Sequence, residues 1–255
     1  MALTNKTIAA TYKDLLYLDN ANAGLTSSAR AVKDGAGQSS GLYLASGKVL
    51  FKPASDDTAA FQVQNAAGSA LLTVDTTNSL LKVGAGQIDP TTRYYEFIAN
   101  DIQPNANTHM ALSSGGDDSL EAAFFGTGTD PATSYASTGA YAGSRLVDKF
   151  WYVHDNITVD AVNIYVCSDA AGSDTLRFHL MYFTIDSSLD LTAGQIIADG
   201  SDISNLGYER GYQQTMSIDA TYKAVPSGKV IMGFIRADSS NGDFYVNMNI
   251  KYHLT

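Results

Sequence analysis

Four histidines, one cysteine and an excess of aspartate are the side chains of this sequence that could carry chemistry. His109, His154, His179 and His253 lie far apart in the chain, without the short spacings that gather imidazoles onto one metal ion. They read as structural or surface residues. Cys167 could act as a nucleophile beside a histidine, but nothing in the sequence places the two together. A single cysteine builds no disulfide framework, and a small residue in or near a core is its plain reading. The chain has no G-x-S-x-G, no H-E-x-x-H and no Gly-rich loop followed by Lys-Ser/Thr.

The acidic residues are 23 Asp and only three Glu, namely Glu96, Glu121 and Glu209. Cleaving a glycosidic bond takes two carboxyls held across it, one of them with a raised pKa. Most of the aspartates sit in turn contexts such as SDDT, GGDD, DGSD and NGD, so neighbouring pairs follow from composition alone. Glu121 is the one glutamate inside an apolar run, SLEAAFF, and reads as a sheet-edge or capping carboxylate. The loops GGDDSLE (115–121) and DGSDISN (199–205) cluster oxygen ligands suited to a hard cation such as Ca²⁺. Neither follows the EF-hand pattern, and both read as solvated turns. No cofactor and no metal are expected, and no catalytic residue is assigned.

Aromatic side chains are the remaining lead. Twelve of the 15 tyrosines, together with Trp151, lie after residue 90. Tyrosine rings edged by Asn and Asp suit sugars, which offer apolar faces ringed by hydroxyls. The same rings could instead fill subunit interfaces and strand faces. Tyr208, Tyr212 and Tyr245, in or beside polar turns near the expected end of a sheet, are the candidate glycan-binding residues.

The elements that must hold these residues read as strands. Asp favours turns and caps where Glu favours helix interiors, and 22 Gly with many Asn, Ser and Thr point to strands joined by tight turns. Net charge is −10 with no run of Lys or Arg, which excludes a phosphate-neutralising face for nucleic acid and an anionic membrane surface as partners. No stretch approaches the roughly 20 apolar residues of a membrane-spanning helix. The N-terminal MALTNKTIAATYKD lacks the apolar run of a signal peptide, so synthesis in a cytoplasm without a secretion address is expected.

Three segments are expected. Residues 1–40 carry four basic against three acidic side chains, a balance of +1 that leaves −11 for the rest, and end in the flexible run DGAGQSSG. They read as an attachment arm, with one short helix over TIAATYKDLLYL (7–18). Residues 41–90 place LYL, KVLF, AFQVQ, ALLTV and SLLKV roughly every ten residues, the texture of a repetitive β-stalk. So few large side chains cannot close a core alone, which makes a second copy or a neighbouring domain necessary.

Residues 91–255 read as a head domain of about eight strands in two packed antiparallel sheets. The candidates are 93–99, 107–114, KFWYVHD, ITVDAVNIYV, TLRFHLMYFTI, YQQTMSID, KVIMGFIRA and DFYVNMNIKYHL, with long surface loops over 115–143. In ITVDAVNIYV the apolar phase slips near residue 161, which predicts a bulge or bend.

The phrase AFQVQNAAGSALLTVDTTNSLLKVGAG (60–86) resembles the interlaced β segment of phage tail-fibre and appendage proteins. TIAATYKDLLYLDNANAG (7–24), VKDGAGQSSGLYLA (32–45) and VNMNIKYHLT (246–255) are similar to segments of fibre-like proteins of marine bacteriophages. That resemblance implies an all-β homotrimer on a virion, mounted on capsid or tail through residues 1–40, with a jelly-roll-like β-sandwich outward. Such a protein is non-enzymatic, and its outer domain could contact a host surface glycan. A free carbohydrate-binding lectin is the alternative, argued against by the turn-rich residues 1–90; a small polysaccharide depolymerase would need the catalytic signature the chain lacks.

Overall fold

The computed structural model describes residues 15–21, 23–86, 88–114, 123–127, 146–168, 174–185, 191–204, 207–239 and 242–255. Among them every regular element is a strand. The chain divides into two compact units, Met1–Pro90 and Thr91–Thr255.

The described residues of the first unit form seven strands: β1 (Tyr17–Leu18), β2 (Arg30–Lys33), β3 (Ser39–Ala45), β4 (Lys48–Phe51), β5 (Phe61–Gln64), β6 (Ala70–Asp75) and β7 (Leu80–Val83). They form two antiparallel meanders, β1-β2-β3-β4 and β5-β6-β7. One turn device appears twice. Asp34 Oδ1 accepts from the amides of Ala36 and Gln38 at 3.0 and 2.8 Å, and Asn65 Oδ1 accepts from those of Ala67 and Ser69 at 3.0 and 2.9 Å. Each turn closes through a glycine at positive φ, Gly37 at 87° and Gly68 at 81°, where a Cβ would be strained.

The expected division at residue 40 falls inside β3, and β2 pairs with it through Arg30↔Leu44 and Ala31↔Tyr43, so residues on both sides of that point share one sheet. The expected helix over 7–18 lies outside the described residues up to 14, and its end, Tyr17–Leu18, is the strand that pairs with Val32 and Lys33. Pairing with a neighbouring strand outweighs weak helical periodicity in so short a segment. Of the apolar side chains described in this unit, only Val32 and Ala45 are buried.

The second unit contains β8 (Arg93–Ile102), β9 (Thr108–Ala111), β10 (Ser113–Ser114), β11 (Phe124–Thr127), β12 (Trp151–Tyr152), β13 (Ile157–Ser168) and β14 (Leu176–Ile185). It continues with β15 (Leu191–Asp199), β16 (Arg210–Thr215), β17 (Ser217–Ile218), β18 (Ala224–Val225), β19 (Lys229–Ala237) and β20 (Phe244–Leu254). One sheet runs β10-β8-β20-β13-β16, with β18 on β13; the other runs β11-β9-β19-β14-β15-β17, with β12 on β19. The first long strand therefore pairs with the last, β8 with β20, and the next pair inward is β9 with β19. This nesting of two antiparallel sheets is the jelly-roll arrangement, as the sequence predicts.

The core lies between the sheets. Phe97, Val162, Ile164, Phe178, Leu180, Ile235, Met248 and Ile250 are among its fully buried members. Burying side chains of this size stabilises by about 1.5–3 kcal/mol each before conformational entropy is set against it. The predicted phase slip is present: β13 and β20 shift register between Val159 and Ala161, so that Val159 and Val162 both face inward.

Two expectations change. KFWYVHD gives only the two-residue β12, and LTAGQIIAD, unassigned from sequence, is the nine-residue β15. Within the expected loop 115–143, Phe124–Thr127 is an edge strand with Ala123 and Phe125 buried; 115–122 and 128–143 lie outside the described residues.

Candidate functional site

The outward face of the six-stranded sheet is where side chains with binding chemistry converge. Alternation dictates who stands there. On β20, Phe244, Val246, Met248 and Ile250 face the core, leaving Tyr245, Asn247, Asn249 and Lys251 outward. Register then builds rows across the sheet: Tyr245 beside Cys167, and Cys167 beside Gly211. The next rows are Ile98–Asn247–Tyr165–Gln213 and Glu96–Asn249–Asn163–Thr215. Tyr94 stands beside Lys251.

Three cavities run along this face. The first, about 520 Å³, is bordered by Ile98, Asn100, Tyr165, Gln213, Tyr245 and Asn247. The next, about 320 Å³, shares Tyr165 and adds Asn163, Asn249 and Tyr94. The third, about 410 Å³, shares Tyr94 and Asn249 and adds Glu96. The shared walls make them one groove along the strands. From the row of Tyr245 to that of Lys251 it spans about 20 Å, at roughly 3.3 Å per residue.

The groove is nearly neutral: of its described lining residues, only Glu96 and Lys251 carry charge. Three of its amides are held by neighbours. Asn249 donates to Asn247, Asn247 donates to Glu96 at 3.4 Å, and the Thr215 hydroxyl donates to Asn163 at 2.8 Å. Tyr94, Tyr165 and Tyr245 are exposed by 73, 48 and 41%.

The three tyrosines singled out from sequence separate. Tyr245 lines the groove. Tyr212 pairs with the buried Val166, packs against the core, and accepts a hydrogen bond from the Gly207 amide at 2.7 Å through its hydroxyl. Instead of a free surface ring, it is a half-buried residue at the groove's edge. Tyr208 is exposed in the turn before β16 and is not among the residues lining the groove. Trp151 also leaves the surface: it stacks on Tyr95 at 4.2 Å and meets Tyr252 at 4.7 Å. Sequence reading passed over Tyr94 and Tyr165, although asparagine at 163, 247 and 249 on long strands was the available signal, since Asn is depleted from strands.

Ionisable groups gather elsewhere. On the outer side of the seven-stranded sheet, the fully buried His109 and His179 meet edge to face at 5.2 Å. His179 Nδ1 lies 2.8 Å from Asp199 Oδ1, and Arg177 Nη2 is 2.5 Å from the second carboxylate oxygen. Burial pushes the Asp199 pKa up, but the bonds from His179 and Arg177 outweigh it and hold it at about 2. Such a carboxyl is the reverse of a general acid. Within DGSDISN, Asp199 is thus engaged by Arg177 and His179, Asp202 lies 3.9 Å from Arg177, and Asn205 is outside the described residues. GGDDSLE, with Glu121, is also outside them. Among the described residues no three His, Cys, Asp or Glu side chains converge as metal ligands. No histidine lines the groove beside Cys167.

No protein-family model matches the chain, and no curated protein matches it in sequence. Several solved structures are similar over about two thirds of the chain. Eiger TNF from S. frugiperda is 10% identical with a TM-score of 0.30, over 65% of this chain and 94% of its own. The infectious bursal disease virus Gx strain structure is 11% identical with a TM-score of 0.30, over 67% and 36%. The N-terminal xylanase modules of Clostridium thermocellum, complexed with xylohexaose, are 14% identical with a TM-score of 0.26, over 64% and 28%. The chain spans about a third of this bursal disease virus chain and of the xylanase chain.

Proposed function

We propose that this chain is a non-enzymatic structural protein of a bacteriophage particle: a homotrimeric fibre or decoration appendage. Its first 40 residues contribute the mount on capsid or tail, and its jelly roll faces outward. The supporting observation is the segregation of exposed apolar side chains. In the first unit they are Leu, Val, Ile and Phe, as at Val49, Phe51, Val63, Leu71, Leu81 and Ile88. Among the described residues of the second they are five tyrosines with Val147 and Leu254.

A unit whose described residues include two buried apolar side chains and eleven large exposed ones lacks what holds a small domain together in isolation. Association with further copies covers that surface, and the fibre-like phrasing of residues 60–86 makes three the expected number. Light scattering on the purified full chain tests this. A mass near three times 27.1 kDa is expected, and a stable monomer at micromolar concentration would refute it.

A further inference from the structure

We infer that the groove on the six-stranded sheet binds an extended, uncharged polysaccharide, laid along the strands and stacked on Tyr94, Tyr165 and Tyr245. The inference deepens the appendage reading by giving the outward domain a ligand, and each can fail without the other.

Shape is the first ground. Three cavities that share Tyr165, Tyr94 and Asn249 as common walls make a channel several sugar rings long, not a pit for one small molecule. Chemistry is the second. A pyranose ring has an apolar face, and the three exposed phenol rings along the groove are platforms for it. Its edge is a belt of hydroxyls that both donate and accept. Asn100, Asn163, Asn247, Asn249 and Gln213 do the same, each with an amide N–H₂ and a carbonyl oxygen.

Those amides stand outside the buried core. They face outward on long strands, where Asn is a poor choice for sheet stability, so a role outside the core accounts for them better. Bonds to neighbouring side chains fix three of them, Asn163, Asn247 and Asn249, before a ligand arrives, which lowers the ordering cost of binding.

Charge and apolarity dispose of other occupants. One lysine and one glutamate, on a chain of net −10, give no pull on a polyanion. A second copy of the chain would favour a patch with an apolar centre, and among the described residues all the exposed aliphatic ones but Val147 and Leu254, neither of which lines the groove, lie in the other unit.

The test uses the full chain, with cellohexaose, maltohexaose and mannohexaose as neutral probes and hexagalacturonate as the anionic one. At least one neutral hexasaccharide should bind, its disaccharide more weakly, and raising salt from ~0.1 to ~0.5 M should change affinity by less than about twofold. Tyr165→Ala, at the wall shared by two cavities, should lose roughly tenfold in affinity, about 1.4 kcal/mol. Tyr208→Ala, outside the groove, should bind as the parent does, and unchanged thermal unfolding of both variants guards against misfolding. Cys167, the single thiol, lines the first cavity and is the reporter: a saturating neutral sugar should slow its alkylation by N-ethylmaleimide.

Failure of all three neutral probes overturns the inference, as does tighter, salt-sensitive binding of hexagalacturonate. So does a Tyr165→Ala variant that binds like the parent. A thiol that is inert in the assembled protein until Tyr94→Asp breaks it into monomers would place a second copy on this face, and also overturns the inference. A trimer that binds no sugar leaves the appendage reading standing; a sugar-binding monomer leaves this one.

Discussion

Gly233 is where the two sheets of the jelly roll approach without a side chain between them, and Gly233→Ala measures that approach. It lies on β19 between the inward Ile231 and Ile235. A Cβ there would stand 2.9 Å from Met248 Sδ, 3.2 Å from Met248 Cε and 3.2 Å from Phe97 Cδ2. The methionine tail can rotate away, but the fully buried Phe97 ring has no open side. Overpacking of this kind costs about 1–3 kcal/mol, and the stiffer unfolded chain of Ala returns about 0.4–1. The net is a loss of about 1–2 kcal/mol. For a unit of this size each kcal/mol lowers Tm by about 2–4 °C, so a fall of about 2–8 °C is expected.

Trp151, the only tryptophan, stacks on Tyr95 in the sandwich, so its fluorescence follows this unit during denaturation at fixed protomer concentration. Met248→Val shortens the obstructing side chain. Combined with Gly233→Ala it should be less destabilising than the two single changes summed, by about 0.5–3 kcal/mol. A neutral Gly233→Ala, or strict additivity with Met248→Val, would refute the close sheet-to-sheet contact.

Replacing Val49 and Phe51 together by Ser should weaken association of the chain, because each exposed ring or branched side chain covered in an assembly contributes about 1 kcal/mol or more; dilution in analytical ultracentrifugation should shift the midpoint at least tenfold, and an unchanged midpoint would exonerate that strand. Asp75 is held at about 2 by the Asn78 side chain, by Lys82 and by the Asn78 amide. Since that lies below its unfolded value of about 3.9, its contribution is fully present above pH ~4 and disappears as pH falls through ~2. The stability difference between the parent and Asp75→Asn should therefore shrink across that window, and a difference that stays constant there would contradict the bonded carboxylate.

What the sequence made legible was decided by periodicity. β20 alternates over its core span without interruption, so its inward residues could be named in advance. β13 could be read through its defect because the slip displaces the pattern only once. β15 was invisible because its pattern is broken more than once. Ala193 has φ 51°, a Cβ on Gly194 would meet Phe183 at 2.6 Å, and pairing with β14 shifts register twice. The groove was harder still. Its walls come from β8, β13, β16 and β20, whose adjacency is set by the closing of the sheet and leaves no trace in local spacing. Tyr245 could be picked out beside a turn, whereas Tyr94 and Tyr165 matter only through the strands next to them.

The pairing of β8 with β20 also sets a timetable. Tyr94 finds Lys251, and Phe97 finds Met248, across almost the whole length of the unit. A ribosome releases those partners after every other strand of the unit, so β8 emerges with its hydrogen-bonding edge open and must wait while some 140 residues follow, at roughly 5–20 residues per second. During those seconds the strand is a template for any other extended chain nearby. Closure of so non-local a sheet is intrinsically slow, and it begins only once synthesis of β20 is complete. A nascent chain stalled before Phe244 would thus carry the inward-facing side chains of the other strands without β20 to complete their enclosure.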